Sequence, residues 1–388
     1  MMHREPDSRR LPLVDSLRAI AALLIVAYHA LFVTGRLSPG NYGWYLNVGV
    51  PLFYAISGLL LFRPFAAALS EGRALPSVRD YARHRVFRII PAYWIALPVV
   101  AIMLDRAGQV FSPSGIPTYF GFLQIYSLDS FVGGIGQAWT LCVEVTFYLF
   151  LPLWAWCMAQ VVRGLADRRG AMIAMIAMLA VGSFAWKVAA VRLVGDDVSA
   201  GLIPLTVLPA ALDQFAVGML LAVVLTRRAG LPARASASWA GIAVAGIAYW
   251  LIGEVHGVGL LNTKPLFGWG WSAIAEHELK AVFSAGLLVA AVSAGSHRGV
   301  LGRALGVTIL RQTGEVSYGI YLWHLMLLTV FAGVATMGTQ VRWIGGDHGL
   351  VPGWWGVAIG FAATVALSIA SWRLVERRLI ARSHRSGT

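Results

Sequence analysis

Charge is what this chain has least of. Only 13% of its 388 residues are Asp, Glu, Lys or Arg, while 58% are hydrophobic and the mean hydropathy is +0.70. Soluble domains carry roughly 25% charged residues, so a soluble globular fold is excluded. The long apolar runs point instead to an all-α, polytopic bundle of transmembrane helices in the cell membrane. Cysteine is scarce too: Cys142 and Cys157 are the only two. They fall on one expected helix, about 22 Å apart at about 1.5 Å per residue, too far for a disulfide. There is no strand alternation, heptad pattern, long-period repeat or low-complexity tract. HExxH, CxxC, P-loop, GxSxG and strand-led GxGxxG patterns are all missing. Spacing therefore supports no metal site and no tightly bound cofactor.

Acidic residues are also few, 18 against 31 Lys and Arg, for a net charge of +13. Such an excess suits nucleic acid, but its placement does not. Apolar spans are expected at about 14–34, 47–62, 89–104, 138–159, 171–191, 202–225, 238–253, 273–294, 314–336 and 353–374, ten in all. Alternating them across a bilayer puts 24 of the 31 basic residues on the N-terminal side. Arg36, Arg106, Lys187, Arg192, Lys264, Lys280 and Arg342 remain outside or within spans. This positive-inside pattern predicts both termini cytoplasmic. It also suits contact with anionic membrane lipid or an anionic cytosolic cosubstrate. The segment 119–128 is too short to cross and reads as re-entrant or interfacial. No cleavable signal and no attached soluble domain is expected. The chain reads as one transmembrane domain, 1–388, with a short cytoplasmic arm (1–13) and a basic tail (376–388).

Against this apolar background the ionisable residues stand out, because they are costly in a bilayer and usually functional. Arg18 and His29 are eleven positions apart on the first span. Eleven steps of about 100° return to within roughly 20° of one face, roughly 16 Å along the axis. Asp15 falls near that face. The stripe suits a long substrate with an anionic head and a reactive far end. A neutral imidazole takes a proton from a hydroxyl near neutral pH; a structural His bonded to a neighbouring helix is the competing reading. Glu144, after Trp139-Thr140-Leu141, is expected at a depth comparable to His29, where it would orient the imidazole. A salt bridge or a protonated, carbonyl-bound Glu is its alternative. Arg85 and Arg88 share a face at i, i+3 and suit phosphates, unless they are only a positive-inside flank. Ser57, in a run of small residues from Gly49 to Gly58, either lines a cavity or marks close helix packing. Tyr318, Tyr321 and His324 share a face as a polar network or a site.

Together these residues resemble the acyltransferase 3 family of integral-membrane O-acyltransferases, over nearly the whole chain. Leu17-Arg18 through Tyr28-His29 is similar to the family's Arg-x10-His signature. Val50-Pro51-Leu52-Phe53 to Ser57-Gly58, Arg85-x-x-Arg88-Ile89-Ile90-Pro91 and Trp139-Thr140-Leu141-x-x-Glu144-x-x-Phe147-Tyr148 resemble its next motifs. Asp213-Gln214-Phe215-x-x-Gly218, Ser317-Tyr318 to Trp323-His324 and Val375-Glu376-Arg377 echo later ones. Pro51 stands where Asp is common, Thr140 where Ser is usual, and Arg378 where Pro often follows. The resemblance implies transfer of a short acyl group, acetyl or succinyl, from cytosolic acyl-CoA to a hydroxyl of a glycan or glycolipid. It implies CoA phosphates on Arg18, Arg85 and Arg88, His29 as base with Glu144 behind it, and substrate contacts from Asp15, Ser57, Trp139, Tyr321 and His324. Direct transfer and an acyl-imidazole intermediate would use the same residues. Two rivals stand beside it: acylation of a diffusible secondary metabolite, and a transporter or flippase. Paired broken helices in matching halves, expected of many transporters, are not found in the sequence.

The topology is tested by single cysteines at Gly72 and Ser386. Both should resist a membrane-impermeant thiol reagent in intact cells, and ready labelling of either would reverse the orientation.

Overall fold

A computed structural model describes residues 11–195, 197–226, 235–258, 265–266, 268–294, 299–333, 349–351 and 353–385. Of the 31 Lys and Arg residues counted above, Arg4, Arg9, Arg10, Arg227, Arg228, Arg234, Lys264, Arg298 and Arg342 lie outside these residues, as does Ser386. Within them the fold is all-α, with no β-strand. Ten long helices follow one another: α1 (Pro12–Val33), α2 (Gly49–Glu71), α3 (Val78–Met103), α4 (Trp139–Val162), α5 (Arg168–Val194), α6 (Leu208–Val224), α7 (Ala235–Val255), α8 (Trp269–Ser293), α9 (Ser317–Ala332) and α10 (Trp354–Ser371). Each overlaps one expected span. Seven helices among the described residues are long and apolar enough to cross a bilayer, or eight if Thr308–Glu315 and α9, bent by 76°, count as one span. The other two fall short for different reasons: α6 has 17 residues, and α8 carries Glu276, Glu278 and Lys280.

Local chemistry sets several boundaries that hydropathy placed elsewhere. α3 begins eleven residues before the expected span, because Ser77 caps it by accepting the Asp80 N–H at 3.3 Å. Serine followed three residues later by an acid is a helix-start signal. Arg83, Arg85 and Arg88 therefore ride on a helix and not in a loop. α2 runs nine residues past its expected end and stops at Gly72, whose φ of 67° is open to glycine. The stretch 119–128 forms no crossing helix: a short helix ends at Phe120 and a single 3-10 turn spans Gln124–Tyr126. Tyr93 ties it down by donating to the Tyr119 carbonyl at 2.9 Å. α10 passes through a π-helical turn, Trp372–Glu376, into the helix Arg377–Arg385.

Glycines set the closest helix approaches. A Cβ on Gly58 of α2 would run into the Phe215 carbonyl of α6, and one on Gly218 of α6 into the Ala55 carbonyl of α2. Gly241 of α7 and Gly286 of α8 face each other's carbonyls in the same reciprocal way. In a bilayer, where helix association rests on packing, such contacts carry the assembly. A buried charge cluster adds a second tie: Lys187 of α5 meets Asp213 of α6 at 2.7 Å and Glu278 of α8 at 2.6 Å. The hairpin Val300–Glu315 closes over the start of α1. There Ser16 donates to the Leu305 carbonyl at 2.5 Å, and Gly314 packs on the Asp15 carbonyl.

Gly58→Ala and Gly218→Ala should each destabilise the detergent-solubilised protein, by about 1–3 kcal/mol of overpacking. Gly246→Ala on α7, where a Cβ meets nothing within 4 Å, should be neutral or stabilising. Equal melting temperatures for all three variants would show that the α2–α6 contact does not limit stability.

Candidate active site

α1, α2, α3, α4 and α9 enclose a cavity of about 160 Å3 whose wall includes Arg18, Ser57, Arg85, Arg88, Glu144 and Tyr321. Each comes from a different turn of the packing. Arg18 stands two turns into α1. Arg85 and Arg88 are one turn apart on α3, near enough to repel each other. Among the described residues none of the three guanidiniums has an ion pair within 4 Å, and the Nε atoms of Arg18 and Arg85 are buried without a hydrogen-bond partner. Three carboxylates act on them from a distance: Asp15 and Glu144 on Arg18, Glu144 on Arg85, and Glu376 on Arg18 and Arg88. None of them closes into an ion pair within 4 Å among the described residues, so the guanidinium forks stay free. It is a place for an anion.

His29 follows on α1, one turn beyond Ile25, which also lines the cavity. Its Nδ1 lies 2.9 Å from the Ile25 carbonyl and 3.1 Å from Nε2 of His324 on α9. The two rings meet edge-on, 4.9 Å between centroids. His324 is fully buried, and its Nδ1 sits 2.9 Å from the carbonyls of both Ile320 and Tyr321. Tyr28 stacks edge-on against the other side of His29 at 5.1 Å.

Glu144 does not lie where turn-counting placed it. It accepts the Ser57 hydroxyl at 2.5 Å and sits within reach of Tyr148; the group bonded to His29 is His324. The reason is where α4 starts. Gln137 and Ala138, just before it, are already buried inside the bundle. Gln137 donates there to the Tyr321 carbonyl at 2.8 Å and the Leu322 carbonyl at 3.2 Å. Glu144 lines the cavity with the arginines and bonds to Ser57 and not to His29. His29, His324, Asp15 and Trp139 are not among the residues that line this cavity. The Asp15 backbone packs against Gly314, and Trp139 stacks on Phe131 at 5.7 Å.

Two lining groups, Tyr148 and Tyr54, were given no role by the sequence, whereas Tyr318 and Tyr321 were among its candidates. Tyr148 stands one turn after Glu144 and could have been found by i, i+4 spacing. Tyr54, one turn before Gly58, donates to the Thr140 carbonyl at 3.2 Å. Tyr318 donates to the Ile89 carbonyl at 2.9 Å, and Tyr321 to the Gln137 carbonyl at 2.6 Å with Thr140 Oγ1 2.9 Å away. These bonds fasten α9 to α3 and to the start of α4. Glu376 is turned inward by the π-helical turn, 3% exposed, with the Ser371 hydroxyl 3.1 Å away. Turns of that kind cluster at functional sites, but nothing in the local sequence announces one.

Comparison with known proteins places the chain in a family. The chain is similar to nodulation protein 10 of Rhizobium leguminosarum bv. viciae, 24% identical over 94% of this chain and 91% of that protein. It is likewise similar to the acyltransferase MdmB of Streptomyces mycarofaciens, 24% identical over 94% of this chain and 89% of that one. The peptidoglycan O-acetyltransferase OatA of Listeria monocytogenes matches at 26% over 36% of this chain and 23% of its own length. No solved structure matches. The acyltransferase 3 family, described as an acyltransferase domain, matches residues 12–373, nearly the whole helical bundle that holds the arginines and the histidine pair. The chain belongs to that family of membrane acyltransferases.

Proposed function

We propose that this protein moves a short acyl group, acetyl or succinyl, from cytosolic acyl-CoA to a hydroxyl of a cell-envelope glycan or glycolipid. The observation that carries the donor half is the set of three guanidiniums around one cavity, none in an ion pair among the described residues and two with a buried, unsatisfied Nε. Buried cations without partners are strongly unfavourable, so an anionic ligand is what completes them. The phosphates of CoA suit that need. With the phosphates on Arg18, Arg85 and Arg88, the pantetheine arm runs along α1 toward His29, roughly 16 Å on.

At that end His29 takes the proton of the acceptor hydroxyl. The freed oxygen lone pair forms the new C–O bond at the thioester carbonyl, the C–S bond breaks, and the departing thiolate recovers the proton from the imidazolium. Glu144, held by Ser57, tempers the field of the arginines and does not contact the base. The acceptor class rests on a relative: OatA is named as an O-acetyltransferase of peptidoglycan, an envelope glycan. Membrane acylation of an extracytoplasmic hydroxyl follows if the termini are cytoplasmic.

Two sets of variants test the reading. Arg18→Ala and Arg88→Ala should each lose charge-assisted bonds worth roughly 1.5–3 kcal/mol, weakening acyl-CoA binding about ten- to a hundredfold in calorimetry on purified protein. Arg18→Lys should recover only part, because a point charge lacks the bidentate fork. Unchanged affinity in both alanine variants removes these residues from the donor site.

His29→Ala should still bind acyl-CoA while transfer falls about 10² to 10⁴-fold. His29→Gln keeps hydrogen-bonding capacity but supplies no base near neutral pH. Near-native acyl transfer by the Gln variant would make His29 architectural.

A further inference from the structure

We infer that His324 is a positioning residue: it accepts the Nδ1–H of His29 beside the Ile25 carbonyl, leaves Nε2 of that ring as the base and steadies the imidazolium that forms. The inference rests on the reading of His29 as the base. It follows from three backbone carbonyls and one inter-ring contact. Carbonyl oxygens only accept hydrogen bonds. Nδ1 of His324 faces two of them, Ile320 and Tyr321, at 2.9 Å each, so Nδ1 carries the proton. In a neutral ring that leaves Nε2 of His324 as an acceptor. The Nδ1 of His29 faces the Ile25 carbonyl at 2.9 Å and this acceptor at 3.1 Å. It therefore carries the proton of its own ring, shared between two acceptors. Nε2 of His29 keeps its lone pair and is the basic atom.

The same bond serves the charged state. When His29 Nε2 takes the acceptor proton, the Nδ1–H that points at His324 becomes charge-assisted and stronger. His324 thus occupies the place that a carboxylate fills in a catalytic triad, but as a neutral partner. A carboxylate there would need its own desolvation offset in the bundle; a neutral imidazole held by two carbonyls needs none. The packing around it is rigid: His324 is fully buried, and α9 is fastened on either side by Tyr318 to Ile89 and by Gln137 to the Tyr321 and Leu322 carbonyls.

The test is the nitrogen spectrum of histidine-labelled protein in lipid, with the His29 signals assigned by difference against His29→Gln, one of nine histidines. The native protein should show His29 protonated at Nδ1 and bare at Nε2. In His324→Leu the Ile25 carbonyl still holds the proton on Nδ1, so the tautomer should stay while the His29 Nδ1 signal shifts with the loss of its second acceptor. Its kcat should fall about 10- to 100-fold with the KM for acyl-CoA unchanged, the worth of one hydrogen bond to the charged imidazolium. His324→Gln, whose amide oxygen accepts from His29 and whose NH2 reaches the carbonyls, should restore most of the rate and the native Nδ1 signal. A native His29 protonated at Nε2, or a His324→Leu enzyme with native kcat, overturns the inference. The native spectrum and the Gln variant keep it open to refutation even if the Leu variant does not fold. Full transfer activity in His29→Gln overturns the underlying base reading instead, and leaves the tautomer measurement standing.

Discussion

Three guanidiniums share one small cavity inside an apolar bundle, and the rest of the site is arranged around that constraint. A buried cation is tolerated only with compensation. Here compensation inside the protein is incomplete. Asp15, Glu144 and Glu376 act on the arginines without forming ion pairs within 4 Å among the described residues, and Glu144 spends one oxygen on Ser57 instead. Had the carboxylates closed onto the arginines, the cavity would be a structural salt-bridge knot. Held apart, they lower the repulsion among Arg18, Arg85 and Arg88 and leave the forks free for a ligand.

Holding such groups apart requires stiff helices at fixed spacing. The α2–α6 approach through Gly58 and Gly218 places Ser57 against α4, since Ser57 is the neighbour of Gly58. The Gln137 and Tyr321 bonds set the depth at which α4 begins, and with it the depth of Glu144. The Lys187–Asp213–Glu278 cluster ties α5, α6 and α8 away from the cavity. Buried pairs of this kind add little net stability but are costly to mispair, which suits a role in registering helices. One side of the bundle thus spends its charges on packing, the other on the cavity.

The histidine pair sits where these two demands meet. His29 belongs to the same helix as Arg18, so its distance from the phosphate end is set by helix geometry alone. Its orientation is not. That comes from α9, whose position depends on hydrogen bonds to α3 and to the turn before α4. A substrate long enough to span the arginines and the imidazole is measured by one helix and aimed by another.

Hydropathy and helical period were enough for the all-α architecture, for the approximate place of the ten long helices, and for the Arg18–His29 stripe, because each is a property of one helix or one apolar run. Arg85 and Arg88 were likewise legible as an i, i+3 pair, as was Ser57 as a hydroxyl in a small-residue segment. What the sequence did not reveal were relations between helices. Glu144 was assigned to His29 by counting turns from a bilayer surface, but α4 starts inside the bundle, and that start depends on a bond to α9. The contact of His324 with His29 joins positions 295 residues apart, and no periodicity links them. Glu376 faces inward only because of a π-helical turn. Side-chain spacing along a helix is dictated by covalent geometry, which the sequence carries; the partner across the gap is chosen by packing among all the helices at once, which only the tertiary structure decides.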